Sequence, residues 1–299
     1  LPGALLNNYL HKLPPETRVT DIGNELNDLW KRIKEKLEYG EAKGIKEEIK
    51  QGIYKDIRVF ERFVKGLRTP TLLFVQRFSK YSNAIINESI DYKTILTKPL
   101  KFGDGGNAAS AILPKELSPS LAYLIGAMRD GTLARGGKYE VSFSQKNVEW
   151  LYLLKKLLKR VFQPSNDPRI VYRGTPRLII SNRSIFEFFH RICEIPIGKK
   201  VEWATPSIIE KSKFEIQKYY IRGFFDADGL SNSIGFCQVN YDALLWIKET
   251  LYKNGIRSGK ISKRQIRDNK YKMCYFYISR SSYNQFIKNI GCSNSAKGR

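Results

Sequence analysis

Two apolar stretches that each end in Asp-Gly constrain this chain more than any other feature. The later one runs Tyr219-Tyr220-Ile221-Arg222-Gly223-Phe224-Phe225-Asp226-Ala227-Asp228-Gly229 and reads as a helix closed by Gly229 in a left-handed cap. A carboxylate at a helix C-terminus meets carbonyls that already carry partial negative charge, so the placement calls for a cation. An ordinary Asp-Gly turn after a buried helix is the alternative. The earlier stretch, Leu121-Ala122-Tyr123-Leu124-Ile125-Gly126-Ala127-Met128-Arg129-Asp130-Gly131, has the same design. A glycine inside a helix costs roughly 1 kcal/mol against alanine. Gly126 and Gly223 therefore predict two helix backbones in close approach, with Asp130 and Asp228 side by side at one end.

The echo continues beyond the helices. Val141-Ser142-Phe143-Ser144-Gln145-Lys146-Asn147 returns as Ile234-Gly235-Phe236-Cys237-Gln238-Val239-Asn240, 93 residues on. Leu178-Ile179-Ile180-Ser181-Asn182-Arg183-Ser184 returns as Phe276-Tyr277-Ile278-Ser279-Arg280-Ser281-Ser282, 98 residues on. Each block is a short strand feeding a helix: 150–162 and 244–254 after the first, and helices ending at Ile192 and Ile290 after the second. The unequal offsets place a small insertion in a hairpin loop. The chain is an internal duplication.

Two copies of helix–strands–helix–strands–helix, each opened by an apolar helix ending in Asp-Gly, resemble the LAGLIDADG homing endonucleases in their single-chain, two-repeat form. Gly223-Phe224-Phe225-Asp226-Ala227-Asp228-Gly229 matches that family's signature at nearly every position. In the first copy Gly126 precedes Asp130 by four residues where Gly223 precedes Asp228 by five, and Arg129 stands where the family has a small residue. The expectation is a first helix that is locally over- or underwound, or one that uses another close-contact residue. The resemblance runs from about Leu117 to the C-terminus. It implies an α+β fold of tandem, pseudo-two-fold αββαββα repeats forming a DNA-binding β-saddle, at 111–212 and 213–299, after an N-terminal domain at 1–110.

Charge agrees with a polyanionic partner. Lys and Arg number 52 against 29 acidic residues, a formal net charge of +23, and nucleic acid leads an acidic membrane surface as the partner. No run is long enough to span a bilayer and no signal-peptide pattern opens the chain, so the expected location is intracellular, in the cytoplasm or an organellar matrix. Cys193, Cys237, Cys274 and Cys292 are scattered singly, and the two histidines, His11 and His190, lack partners at metal-ligand spacing. Zinc hydrolysis, histidine-based nuclease chemistry and a Ser-His-Asp triad are set aside, as is a Walker-type nucleotide loop. Protein splicing is set aside too: the start offers no Cys or Ser nucleophile and the end no His-Asn pair.

The N-terminal domain reads as helical. Ile22, Leu26, Leu29, Trp30, Ile33 and Leu37 recur at helical spacing behind Asp21 as N-cap. Helices continue over Ile45–Phe63, and after the turn at Gly66 another follows over Thr71–Lys80, an order that fits a DNA-reading helix-turn-helix. A small bundle with a solvated basic face fits equally. Phe102-Gly103-Asp104-Gly105-Gly106-Asn107 reads as the linker.

In the duplicated part Lys138, Glu140, Ser142 and Ser144 alternate with Tyr139, Val141 and Phe143, giving one polar and one buried face. Arg169, Arg173 and Arg177 lie on or beside the next hairpin, and Arg257, Lys260, Lys263, Arg264, Gln265, Arg267, Lys270 and Lys272 on its later counterpart. Twisted antiparallel ribbons enter the major groove, where Arg, Lys and Gln bond base edges.

The family resemblance then implies the chemistry. Asp130 and Asp228, within the stretches Asp130-Gly131 and Ala227-Asp228, bind Mg²⁺ through oxygen, with Mn²⁺ or Ca²⁺ able to substitute in binding. Gln145 and Gln238 order water beside the metal, and Lys146 or Lys199 supplies a lysine. A monomer cuts each strand of double-stranded DNA once across the minor groove. The alternative is a cleavage-deficient relative acting as an intron maturase or transcription regulator.

Overall fold

The computed structural model describes residues 12–14, 16–37, 62–63, 68–90, 98–102, 108–136, 138–198, 203–230, 233–265 and 272–297. The chain divides into two compact units, one of residues 6–113 and one containing residues 114–299.

In the first unit a short ribbon joins the helices. Strand β1 (Thr17–Val19) pairs antiparallel with β2 (Leu100–Phe102), Thr17 opposite Phe102. Helix α1 (Gly23–Leu37) buries Leu26, Leu29, Trp30 and Ile33, with Ile22 buried just before it, as their spacing predicts. Asp21 is not its cap: it sits at φ 55°, in the left-handed turn two residues ahead of the helix. Helix α2 (Leu72–Ile86) is capped by Thr71, whose hydroxyl accepts from the Phe74 amide at 3.1 Å. It covers most of the stretch 71–80 expected to be helical. Of the helix expected before it only Arg62 and Phe63 are described, and the expected linker glycines also lie outside the described residues. The helical expectation for this part omits the β1–β2 ribbon, which Leu100 extends by exchanging hydrogen bonds with Ala111 (2.7 and 2.9 Å).

The second unit is α+β with antiparallel sheets. Ser118 caps α3 (Pro119–Ala127), its hydroxyl accepting from the Leu121 amide, and Pro119 starts the helix where its missing N–H costs nothing. A 3₁₀ turn (Met128–Asp130) leads into β3 (Gly131–Ala134) and β4 (Glu140–Ser144). Helix α4 (Val148–Phe162), strands β5 (Arg169–Val171) and β6 (Arg177–Ser181), and α5 (Arg183–Glu187), continued by a π turn (Phe188–Ile192), complete the run. The sheet order is β3-β4-β6-β5. After a short helix, α6 (Ser207–Glu210), the pattern repeats with α7 (Phe214–Asp228), β7 (Gly235–Gln238), α8 (Tyr241–Lys253), β8 (Ser262–Gln265), β9 (Lys272–Tyr277) and α9 (Tyr283–Asn289), in sheet order β7-β9-β8.

The two runs are not identical. In the first, Gly131 opens β3 and pairs with Phe143. In the second, Gly229 pairs with Phe236 at the same place but as an isolated bridge, and no named strand corresponds to β3 among the described residues. The cores follow the alternation. Val141, Phe143, Leu178 and Ile180 are buried, as are Leu151, Leu154, Leu158 and Phe162 of α4. Phe236 meets Phe276, Phe225 and Phe286 with ring centroids 5.2, 5.4 and 6.0 Å away. Burying each such ring contributes roughly 2–3 kcal/mol.

Candidate active site

Helices α3 and α7 pack side by side, and the glycines set how close they come. A Cβ on Gly126 would run into the Tyr220 carbonyl oxygen and lie 2.8 Å from the Phe224 amide nitrogen. One on Gly223 would run into the Tyr123 carbonyl oxygen and lie 3.0 Å from the Ala127 nitrogen. Gly126 is thus the close-contact residue of the first helix despite its shifted spacing. The compensation lies in the winding. The first helix finishes in a 3₁₀ turn and the second stays α-helical to Asp228. With rises of about 2.0 and 1.5 Å per residue, both segments advance about 7.5 Å from glycine to acid. The first motif is overwound, one of the two windings its spacing allows.

At the ends of the pair each acid meets the glutamine of its own half. Gln145 Nε2 donates to Asp130 Oδ2 at 3.0 Å, and Gln238 Nε2 donates to Asp228 Oδ2 at 2.7 Å. Each glutamine is oriented by the amide that follows it, Lys146 N–H or Val239 N–H donating to its Oε1 at 3.0 and 2.7 Å. The next residue in each copy, Asn147 or Asn240, caps the following helix. The repeated Phe-x-Gln-x-Asn is therefore one device: strand end, acid-holding amide, helix cap.

Asp228 is pushed up to about 7, first by burial and then by the negative charge of Asp130; Arg129, Lys297 and the Gln238 bond oppose the rise. Arg129 is buried. Its guanidinium carbon lies 3.5 Å from the centroid of the Trp203 ring and 4.9 Å from that of Phe224. It donates to the Trp203 and Ala204 carbonyls (2.7 and 3.3 Å) and to the Tyr220 hydroxyl (2.8 Å). The residue that departs from the motif is thus a fixed internal cation.

Asp226, fully buried, faces away from this pair. Its carboxylate accepts from the Tyr123 hydroxyl at 2.6 Å and from the backbone amides of Ser293 and Asn294 at 2.9–3.1 Å. Trp150 Nε1 donates to Tyr123 Oη at 2.7 Å. Burial raises the Asp226 carboxyl, and these donors pull it back. Gly229 departs from the expected left-handed cap: at φ −65°, ψ 154° it is extended. Glycine is needed there because a Cβ would meet the Phe225 carbonyl and lie 2.6 Å from its ring.

The other predicted residues are distributed as follows. Gly131 begins β3 against Phe143, and Ala227 is buried in α7. Lys146 is exposed and Lys199 lies outside the described residues. Register puts Ser142, Ser144, Arg169 and Arg177 on one face of the first sheet. Ser142 is buried and accepts from Arg177 (3.0 Å), which also bonds Glu140 (3.3 Å). Lys138, Arg169 and Arg173 are exposed. In the second sheet Arg257, Lys260, Lys263 and Arg264 are exposed; Lys263 pairs with Cys274 and lies over the Tyr241 ring (5.1 Å). Gln265 pairs with Lys272 across the ribbon, and Arg267 and Lys270 lie outside the described residues. His190 is structural, its Nδ1 2.9 Å from the Ile195 carbonyl. Tyr123 escaped the sequence reading because only the packing of the two motif helices sets it against Asp226, and Asn294 and Lys297 because only the tertiary fold brings them to those helices.

No family model matches the sequence. Over 149 residues the chain is 28% identical to homing endonuclease I-ApeI of Aeropyrum pernix, covering 46% of this chain and 67% of the relative. The crystal structure of I-DmoI in complex with DNA and Mn aligns at 18% identity over 59% of this chain and 98% of its own, with a TM-score of 0.46; that of I-DmoI with DNA and Ca gives 17%, 61%, 93% and 0.45. No described helix is long and apolar enough to cross a membrane. Its two glycine-paired helices ending in acid–glutamine couples, together with its likeness to I-ApeI, support the resemblance of this chain to the LAGLIDADG homing endonucleases.

Proposed function

We propose that the protein is a site-specific endonuclease that cuts both strands of a DNA duplex across the minor groove, using a divalent cation held by Asp130 and Asp228. The observation that carries this reading is the duplicated couple: Gln145 on Asp130 and Gln238 on Asp228 at the ends of one helix pair. One acid for each strand is what a duplex of two antiparallel phosphodiester chains requires.

The donor set fits a hard cation. Two crowded carboxylates, one of them raised to about 7 by burial and by the other's charge, gain from a positive ion between them. Among the described residues no group of three His, Cys, Asp or Glu could hold a metal alone. Two carboxylates suit Mg²⁺, which takes one or two of them and completes its shell with phosphate oxygens and water. Held by Asp130 and Asp228, a divalent ion would supply polarisation of the scissile phosphate and a lowered pKa for an attacking water. The chain's own part is orientation: each glutamine fixes one oxygen of its acid, and the amide after it fixes the glutamine.

Binding falls to the strands. Residues 111–212 and 213–299 act as two pseudo-symmetric repeats forming a saddle on the duplex, with Arg169, Arg173 and Arg177 on one side and Arg257, Lys260 and Arg264 on the other. The N-terminal domain, 1–110, adds DNA contacts through α2. With a net charge of +23, phosphate contacts make affinity fall steeply with salt, at a log–log slope of about −0.9 per phosphate neutralised.

The test selects DNA bound in calcium, then adds magnesium. Double-strand cutting that disappears in Asp130→Asn and Asp228→Asn establishes the reading. Tight, selective binding with no cutting replaces it with the cleavage-deficient maturase or regulator.

A further inference from the structure

The two half-sites match in acid and glutamine but not in the residue that follows. Gln145 is followed by Lys146 and Gln238 by Val239, so the second half lacks the lysine that the first carries at its strand end. The structure offers a cation to that half from elsewhere.

Beyond α9 the chain turns back along the end of α7. Asp226 fastens this turn by accepting from the amides of Ser293 and Asn294, and the Asn294 side-chain amide returns a hydrogen bond to the Asp226 carbonyl at 2.9 Å. Asn294 is buried, and its Oδ1 accepts from Asn147, the cap of α4, at 2.6 Å and from the Ala296 amide at 3.1 Å. The Lys297 amide closes the turn on the Asn294 carbonyl at 2.9 Å. Lys297 Nζ then donates to the carbonyl of Gly229, the residue after Asp228. Lys297 is half-buried and one of two cations near enough to Asp228 to act on its charge. The other, Arg129, is committed to two carbonyls, a hydroxyl and two rings.

We propose that Lys297, held by the Asp226-anchored C-terminal turn, is the lysine of the second half-site and Lys146 that of the first, each supplying charge at one scissile phosphate. The proposal rests on the nuclease reading above. It makes the two strand scissions depend on different lysines from different parts of the fold, one at a strand end and one on the tail. An ammonium has three rotatable donors, so one bond to Gly229 leaves two for a phosphate oxygen.

The experiment follows each strand separately under single-turnover conditions, with wild type, Lys297→Met, Lys297→Arg and Lys146→Met on a selected site, binding being checked in calcium. Lys297→Met is expected to slow one strand about 10²-fold, the scale for losing one charge-stabilising donor, so that nicked duplex accumulates. Lys146→Met is expected to slow the opposite strand, and Lys297→Arg to recover part of the lost rate. Retained thermal melting separates this effect from misfolding. If Lys297→Met cuts both strands at the wild-type rate, or slows both equally, the assignment is overturned and the nuclease reading stands. If wild type itself cuts neither strand, both fall.

Discussion

Gly126 and Gly223 answer each other across the seam between α3 and α7, each lying against a backbone carbonyl of the opposite helix, those of Tyr220 and Tyr123. Neither carbonyl can withdraw without breaking its own helix. Gly126→Ala or Gly223→Ala therefore loses about 3 kcal/mol, the upper end for overpacking, read as a lower urea midpoint. Gly136→Ala, at a position with nothing within 4 Å of the added Cβ, stays within about 0.5 kcal/mol of wild type. Equal midpoints for all three variants would remove the close-approach argument.

The Asp228 carboxyl gives a pH dependence with a definite sign. Its folded value, about 7, lies above the ordinary aspartate value near ~4. Between those pH values the native state holds a proton that the unfolded chain has released. Metal-free stability therefore falls as pH rises from about 4 to about 7, and Asp228→Asn flattens that fall. Arg129→Met extends it to higher pH, because the guanidinium is a charge that keeps Asp228 down. Thermal melting in chelator across this range checks both, and an unchanged profile in Asp228→Asn would refute the assignment.

Asp226 and Tyr123 form a buried, charge-assisted hydrogen bond at 2.6 Å between the two motif helices. A double-mutant cycle of Tyr123→Phe and Asp226→Asn is expected to give a coupling of about 1.5–3 kcal/mol. A coupling near zero would show that Ser293 and Asn294 alone satisfy the carboxylate.

Part of this site was legible because its chemistry is written in short-range pattern. Asp-Gly after an apolar run located Asp130 and Asp228, mid-helix glycines located the contact, and Phe-x-Gln located the amides. What stayed hidden depends on facing and on distant chain. Ser142 counts as a polar strand residue in the sequence, but it is buried and held by Arg177. Arg129 departs from the motif in the sequence, and its partner Trp203 lies 74 residues later. Gly229 was placed correctly but for the wrong reason, crowding by Phe225 rather than a positive φ. Lys297 had no motif at all; its only sequence trace is Val239 standing where Lys146 stands in the other copy.

The 3₁₀ finish of α3 shows that a helix end behaves like a screw whose pitch can be reset. By tightening over Met128–Asp130, the chain accommodates a motif one residue shorter and still delivers its carboxylate to the same height. Halves of unequal motif length are then interchangeable, provided their terminal turns are wound to match. For anyone splicing half-sites from different parents into one nuclease, thread pitch rather than residue count is the dimension to align.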